Sequence, residues 1–123
     1  MSKPIALVIE DNQDQAFTFK IAATQAGFDA EIIEDGAIAE KRLKEVVPEL
    51  IILDLHLPNV SGEMLLQQIQ NDIRLQETKV FLATADAILA ESLHKNNELV
   101  LIKPVSFDQL RKLALRFLPK EMV

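Results

Sequence analysis

The stretch Glu49-Leu50-Ile51-Ile52-Leu53-Asp54 decides the fold class, because four consecutive apolar residues lead directly into an acid. Three other runs have the same form: Ile5 to Ile9 precedes Glu10-Asp11, Val80 to Ala83 precedes Thr84, and Leu99 to Ile102 precedes Lys103-Pro104. Continuous apolar runs of strand length, separated by helical patterns, are typical of parallel strands covered on both faces. We therefore predict that these four runs belong to one parallel sheet.

A fifth strand and the intervening helices complete the pattern. Apolar residues alternate with acids from Phe28 to Ile32, which favours a strand at the edge of the sheet. The first helix is predicted from Asp14 to Ala26, with Asp11 or Asn12 as its cap and with Phe17, Ile21 and Ala22 on one apolar face. Asp35 can cap the second helix, which Pro48 stops, and Ser61 can cap the third, which runs to about Arg74. Asp86 can cap the fourth helix, which ends at Lys95-Asn96-Asn97, and Ser106 begins the fifth, which Pro119 closes. Five strands alternating with helical patterns predict a (βα)5 α/β fold, a doubly wound parallel five-stranded sheet with right-handed crossovers.

Composition restricts the class of protein. The chain has 123 residues, 49% of them hydrophobic, which predicts a single domain over residues 1–123. A net charge of −6 argues against direct contact with nucleic acid, which requires a basic surface. The absence of Cys excludes disulfides and thiolate zinc sites, and the apolar runs are too short to cross a bilayer. We expect a cytoplasmic protein without a membrane segment.

Five polar residues follow the predicted strands, and parallel strands place their carboxyl ends at one edge of a sheet. They are Glu10, Asp11, Asp54, Thr84 and Lys103. Each has a simpler interpretation: an acid after a strand often caps the next helix, Thr84 suits a strand, and Lys103 suits a surface. Asp54 is harder to explain in that way, because the nearest plausible helix start is seven residues away at Ser61.

The residue types predict phosphoryl chemistry if these side chains meet. Three close carboxylates repel unless a cation compensates, and oxygen ligands suit Mg²⁺. A carboxylate can accept a phosphoryl group as an acyl phosphate, and Asp54 is the candidate nucleophile. Glu10, Asp11 and Asp54 would hold Mg²⁺, while Lys103 and Thr84 would contact phosphoryl oxygens. Because the chain lacks a Gly-rich phosphate loop, we expect the donor to be another protein.

From about Pro4 to Leu118 the sequence resembles the receiver domain of two-component response regulators. Glu10-Asp11 is similar to the acidic pair of that family, Asp54 to its phosphoacceptor, Thr84 to its switch hydroxyl and Lys103-Pro104 to its lysine and following proline. The resemblance implies the flavodoxin-like, CheY-like strand order 2-1-3-4-5. It also implies a sensor histidine kinase or histidine phosphotransfer protein as donor, a downstream effector that the sequence does not identify, and no enzyme activity beyond self-phosphorylation and autodephosphorylation.

The resemblance assigns roles to further residues. It implies that the backbone carbonyl of His56 is a metal ligand, that the Ala85 amide contacts the phosphoryl group, and that Lys103-Pro104 is a cis peptide. His56 and Asp86 each lie two residues past a site residue, at positions that tune acyl phosphate hydrolysis in relatives.

The chain departs from the family at the fourth helix and fifth strand. Val100 stands where receivers usually have an aromatic switch residue, and eighteen residues separate Thr84 from Lys103, which is shorter than usual by nearly one helical turn. Asn96-Asn97 replaces the usual Gly-Ala before the fifth strand. We therefore expect intact chemistry with weak phosphorylation-dependent switching.

Two alternative functions stay open on the sequence. A pseudo-receiver, a constitutive binding module of the same fold, is favoured modestly by Val100 and the short fourth helix. A haloacid-dehalogenase-type phosphohydrolase also uses an Asp at a strand end. That class carries a second Asp two residues after the nucleophile, where this chain has His56, and its acidic pair comes last in the chain rather than first.

Overall fold

A computed structural model describes residues 2–96 and 98–120, and within these ranges the chain forms a parallel sheet with strand order β2-β1-β3-β4-β5. The strands are β1 (Ile5–Ile9), β2 (Asp29–Ile33), β3 (Leu50–Asp54), β4 (Lys79–Thr84) and β5 (Leu99–Ile102). The helices are α1 (Gln13–Ala26), α2 (Gly36–Glu45), α3 (Gly62–Gln70), α4 (Ala87–Lys95) and α5 (Phe107–Arg116). This is the predicted (βα)5 fold with the predicted strand order, and β2 is an edge strand as its alternating pattern indicated.

The sheet carries a separate apolar core on each face. Successive side chains of a strand point to opposite faces, so Ala6 and Val8 pack with α1 and α5, whereas Leu7 and Ile9 pack against the opposite layer of helices. In β3, Leu50 and Ile52 join the first core while Ile51 and Leu53 join the second. Burial on both faces explains why the central strands are apolar at every position.

Side-chain caps fix the helix starts at the carboxyl edge of the sheet. Asn12 caps α1, Asp35 caps α2, Ser61 caps α3, Asp86 caps α4 and Ser106 caps α5. Each side chain accepts a hydrogen bond from a backbone N–H of the first turn, which would otherwise lack a partner. The capping prediction is therefore confirmed for Asp35 and Asp86, and of the two candidates for α1 it is Asn12, not Asp11, that caps the helix.

Two details of the helices were predicted wrongly. Phe17 is 62% exposed, because α1 turns Ala16, Phe19, Ala22, Ala23 and Ala26 toward the sheet instead. The third helix ends at Gln70, and Arg74 lies in a 3-10 turn over Ile73–Leu75. There the Arg74 guanidinium donates to the carbonyl of Leu43 at 2.7 Å, so the turn braces the end of α2.

The remaining helices begin and end close to their predicted limits. The α4 helix ends at Lys95, while Asn97 of the Asn96-Asn97 pair lies outside the described residues. Over the described part of the chain, no helix combines the length and the apolar character that crossing a membrane requires.

Candidate functional site

The carboxyl ends of β1, β3 and β4 bring three buried polar residues together. Within the described ranges, the buried polar or charged side chains are Glu10, Asp54 and Thr84, exposed by 1%, 2% and 0%. Polar side chains are rarely buried unless they have hydrogen-bond partners or a functional role, because burying an unpaired polar group costs free energy. The buried polar side chains of the described residues therefore lie at the carboxyl edge of the sheet, where the sequence predicted them.

Lys103 reaches this cluster from the segment after β5. Its Nζ lies 2.8 Å from Glu10 Oε1 and 3.2 Å from Asp54 Oδ1. Burial lowers the pKa of the Lys103 ammonium, but its hydrogen bond to Glu10 and the charges of Glu10 and Asp54 outweigh that effect and raise it. The ammonium thus stays charged and joins two carboxylates. The Lys103-Pro104 bond is cis, as the resemblance implied.

Glu10, Asp11 and Asp54 form a cluster of oxygen donors. One carboxylate oxygen from each lies within 4.8 Å of the other two. Burial raises the pKa of Glu10 to about 7, the Lys103 hydrogen bond opposes this rise, and the nearby Asp54 adds to it. Three carboxylates facing a single lysine leave unbalanced negative charge, and an all-oxygen donor set fits a hard divalent cation. The residues therefore fit a metal at the place that the sequence predicted.

Asp54 is held by the loop that follows β3. Its Oδ1 accepts a hydrogen bond from the His56 backbone N–H at 3.1 Å. A Cβ on Gly62 would lie 2.3 Å from the Asp54 carbonyl oxygen, so only glycine lets α3 begin against this backbone. The loop thus leaves β3 and returns at Gly62 to pack against the backbone of Asp54 and Leu55.

The Thr84 hydroxyl has two neighbours near Asp54. It accepts a hydrogen bond from the Asp86 backbone N–H at 3.0 Å and lies 3.2 Å from His56 Nε2. The Asp86 carboxylate accepts hydrogen bonds from the backbone N–H groups of Ile88 and Leu89 in the first turn of α4. The His56–Thr84 contact was not predicted, because it depends on how the loop folds. Ala85, the predicted phosphoryl contact, is exposed between Thr84 and Asp86.

The predicted switch position is separate from the acidic cluster. Val100 is half-buried on β5 and lines a groove of about 240 Å³. The other residues lining this groove are Ala87, Ala90, Glu91, His94 and Ile102. Two alanines, an isoleucine and a valine leave open space between α4 and β5 at the position where relatives carry an aromatic ring.

Comparisons with known proteins agree with this geometry. The family model described as the response regulator receiver domain matches residues 6–115. The probable methanogenesis regulatory protein FilR2 of Methanothrix harundinacea is 36% identical in an alignment that covers 88% of this chain and 77% of that protein. The autoinducer 2 sensor kinase/phosphatase LuxQ of Vibrio vulnificus is 31% identical over 90% of this chain, but the match spans only 13% of its own length.

Solved structures show the same fold. The signal receiver domain of a LuxO repressor protein from Vibrio parahaemolyticus has a TM-score of 0.77 and 34% identity, and the match covers 93% of this chain and 91% of that one. A CheY-like receiver domain from Methylobacillus flagellatus has a TM-score of 0.80 and 25% identity, with 94% and 99% covered. The fold, the acidic cluster with its lysine and the family match lead to one conclusion: the chain belongs to the response regulator receiver domain family.

Proposed function

We propose that this receiver domain accepts a phosphoryl group on Asp54 in the presence of Mg²⁺. The observation that carries the proposal is the environment of the Asp54 carboxylate, which is buried, 3.2 Å from the Lys103 ammonium and clustered with Glu10 and Asp11. An oxygen of Asp54 would attack the phosphorus of a phosphohistidine. The new O–P bond would form as the N–P bond breaks, and the imidazole would leave.

Each neighbouring residue has a role in this proposal. Glu10, Asp11, Asp54 and the His56 carbonyl would hold Mg²⁺, which when bound supplies positive charge to the phosphoryl oxygens. Lys103 would exchange part of its contact with Glu10 and Asp54 for a phosphoryl oxygen. The Thr84 hydroxyl and the Ala85 amide would donate to the remaining oxygens. Lys103 already contacts Asp54, and a donor that is held beside the acceptor before the reaction costs little reorganisation when charge develops.

The proposed partners follow from the same chemistry. We infer that the donor is a sensor histidine kinase or a histidine phosphotransfer protein, because the site holds an acceptor and no phosphate-binding loop for a nucleotide. The output would be a change in protein binding, since the net charge of −6 does not favour direct contact with nucleic acid. The proposed activity is limited to the chain's own phosphorylation and dephosphorylation.

Acetyl phosphate provides a direct test without a cognate kinase. Intact mass spectrometry should show the addition of one phosphoryl group that requires Mg²⁺ and is lost on treatment with hydroxylamine. The Asp54→Asn variant should remain unlabelled, while Asp29→Asn, which alters an exposed acid at the other end of the sheet, should label normally. Equal labelling of Asp54→Asn would refute the assignment of the acceptor, and an unlabelled wild-type protein would favour a constitutive binding module.

A further inference from the structure

A side-chain contact joins the loop after Asp54 to the start of α2. The Asn59 side-chain amide donates to Asp35 Oδ2, while the other Asp35 oxygen accepts from the backbone of Ala37 and Ile38. Asp35 therefore caps α2 with one oxygen and holds Asn59 with the other. A carboxylate acceptor makes this a charge-assisted bond, which is stronger than one between neutral groups.

Beside this contact, the backbone at the start of α2 also lies close to the backbone of the loop after β3. The Gly36 N–H donates to the Pro58 carbonyl at 3.3 Å. A Cβ on Gly36 would lie 2.0 Å from the Val60 carbonyl oxygen, so a side chain there would force the loop away from α2. Asn59 has φ 69°, in the left-handed region that Asn adopts more readily than most residues. These features hold the middle of the loop against the start of α2.

The loop segment that Asn59 holds against α2 follows directly after His56, a residue of the proposed phosphoacceptor site. His56, three residues before Asn59, donates its backbone N–H to Asp54 at 3.1 Å and places its ring 3.2 Å from the Thr84 hydroxyl. Its carbonyl is the expected metal ligand. When the loop is fixed at Asn59, His56 can adopt fewer conformations. Groups that orient a metal ligand without contacting the metal commonly affect metal affinity.

We propose that Asn59 is a positioning residue for the phosphoacceptor site, acting with Asp35 to hold the loop so that His56 is presented to Asp54, Thr84 and the metal. The inference rests on the proposed function. The inference adds a role for the start of α2. The Asn59–Asp35 bond ties the loop to that helix and involves none of the residues that would contact the metal or the phosphoryl group. Losing the link should weaken Mg²⁺ binding and slow phosphorylation while the domain stays folded.

Two variants remove the same bond from opposite ends. Asn59→Gly keeps the left-handed backbone accessible and deletes the donor, and Asp35→Ser keeps a good helix cap but lacks the second oxygen. Asn71→Gly, at the exposed end of α3, controls for the general effect of replacing Asn by Gly. The Mg²⁺ dissociation constant, from calorimetry, and the rate of acetyl phosphate labelling are measured for each variant and for Asn59→Gly/Asp35→Ser.

Both single variants should raise the Mg²⁺ dissociation constant about tenfold and slow labelling, as loss of an outer-shell contact commonly does. The double variant should be no worse than either single one, because one bond is removed in all three. Lower melting temperatures with unchanged Mg²⁺ affinity and labelling rate would overturn the inference and leave the tether purely structural. An effect of Asn59→Gly without one of Asp35→Ser would also overturn it, whereas failure of the proposed function would appear in the wild-type protein itself.

Discussion

The proposed phosphoacceptor site and the α4–β5 face, the surface around Ala87, Ala90, His94, Val100 and Ile102, are packed differently. At the site, Glu10, Asp54 and Thr84 are buried and Lys103 contacts both acids. On the α4–β5 face Val100 lines a groove of about 240 Å³, and Ile102 is 51% exposed. The residues that would accept the phosphoryl group are buried or joined by ion pairs, while the face that would report phosphorylation has an open groove.

We infer from this difference that the proposed phosphoryl chemistry and signal reporting are separable in this domain. Phosphoryl transfer needs a few groups held in place, and these contact one another directly. Reporting needs two alternative packings coupled to the phosphoryl group, and a population shifts only as far as the ligand prefers one of them. Without an aromatic ring at Val100, one coupled packing is absent, so we expect the shift on the α4–β5 face to be small.

The largest effect should come from removing the cation at the site. Lys103→Ala should slow labelling by acetyl phosphate about 100-fold, as the loss of one transition-state donor commonly does. The domain should stay folded, because Lys103 lies at the rim of the sheet and the two cores do not involve it. Labelling kinetics and circular dichroism test this, with exposed Lys79→Ala as the control. Loss of the fold in Lys103→Ala would mean that the lysine is structural.

Mg²⁺ should stabilise the domain through the acidic cluster. At a concentration 100 times its dissociation constant, a cation that binds only the folded state adds about 2.7 kcal/mol to the free energy of unfolding. Asp11→Asn and Asp54→Asn should each raise the stability of the metal-free protein, since a repelling charge is removed, and should abolish the shift in melting temperature. Thermal unfolding with and without Mg²⁺ tests this, and Asp29→Asn should retain the shift. A destabilised Asp11→Asn protein that kept its Mg²⁺ response would contradict the cluster.

Metal-free stability should depend on pH through Glu10. Its pKa is about 7 in the folded protein and 4.5 when unperturbed, so between these values the folded state holds the extra proton. Stability from this group is therefore fully present below pH 4.5 and is lost as the pH rises through about 7. The loss should be on the order of 2 kcal/mol relative to Glu10→Gln. Urea unfolding in EDTA across this range measures it, and parallel pH profiles for the two proteins would contradict it.

The smallest expected effect concerns the α4–β5 face. Val100→Tyr should fill part of the groove and change the free energy of unfolding by less than about 1 kcal/mol. With Mg²⁺ and beryllofluoride, the variant should show protection changes that extend into β5 and α5, and more dimer than the wild type in sedimentation. If the two proteins respond identically, the valine is not what limits the switch.

The sequence predicted those parts of the molecule that depend on strand ends. The positions of Asp54, Thr84 and Lys103 follow from apolar runs that stop at a polar residue, because parallel strands bring such ends together. It failed where burial depends on helix rotation: Phe17 suited a buried face by residue type, but small alanines pack closest to the sheet and the phenylalanine is exposed.

Contacts made by loops were beyond the reach of sequence patterns. Asp35 was recognised as a helix cap, yet nothing in its spacing indicated that its second oxygen would hold Asn59, which is 24 residues away. The contact between His56 and Thr84 joins residues 28 positions apart. Such pairs depend on a left-handed residue and on glycines that permit close approach, and these effects appear only when the chain is folded.

Peptide-resolved amide exchange with and without Mg²⁺ and beryllofluoride tests the separation of chemistry from reporting most directly. We expect increased protection around Asp54 and from Thr84 to Leu93, with little change from Leu99 to Leu113. No change at Asp54 and Thr84 would contradict the proposed chemistry. Large changes along Leu99 to Leu113 would contradict the weak switch, because they would show that β5 and α5 respond fully without the aromatic ring.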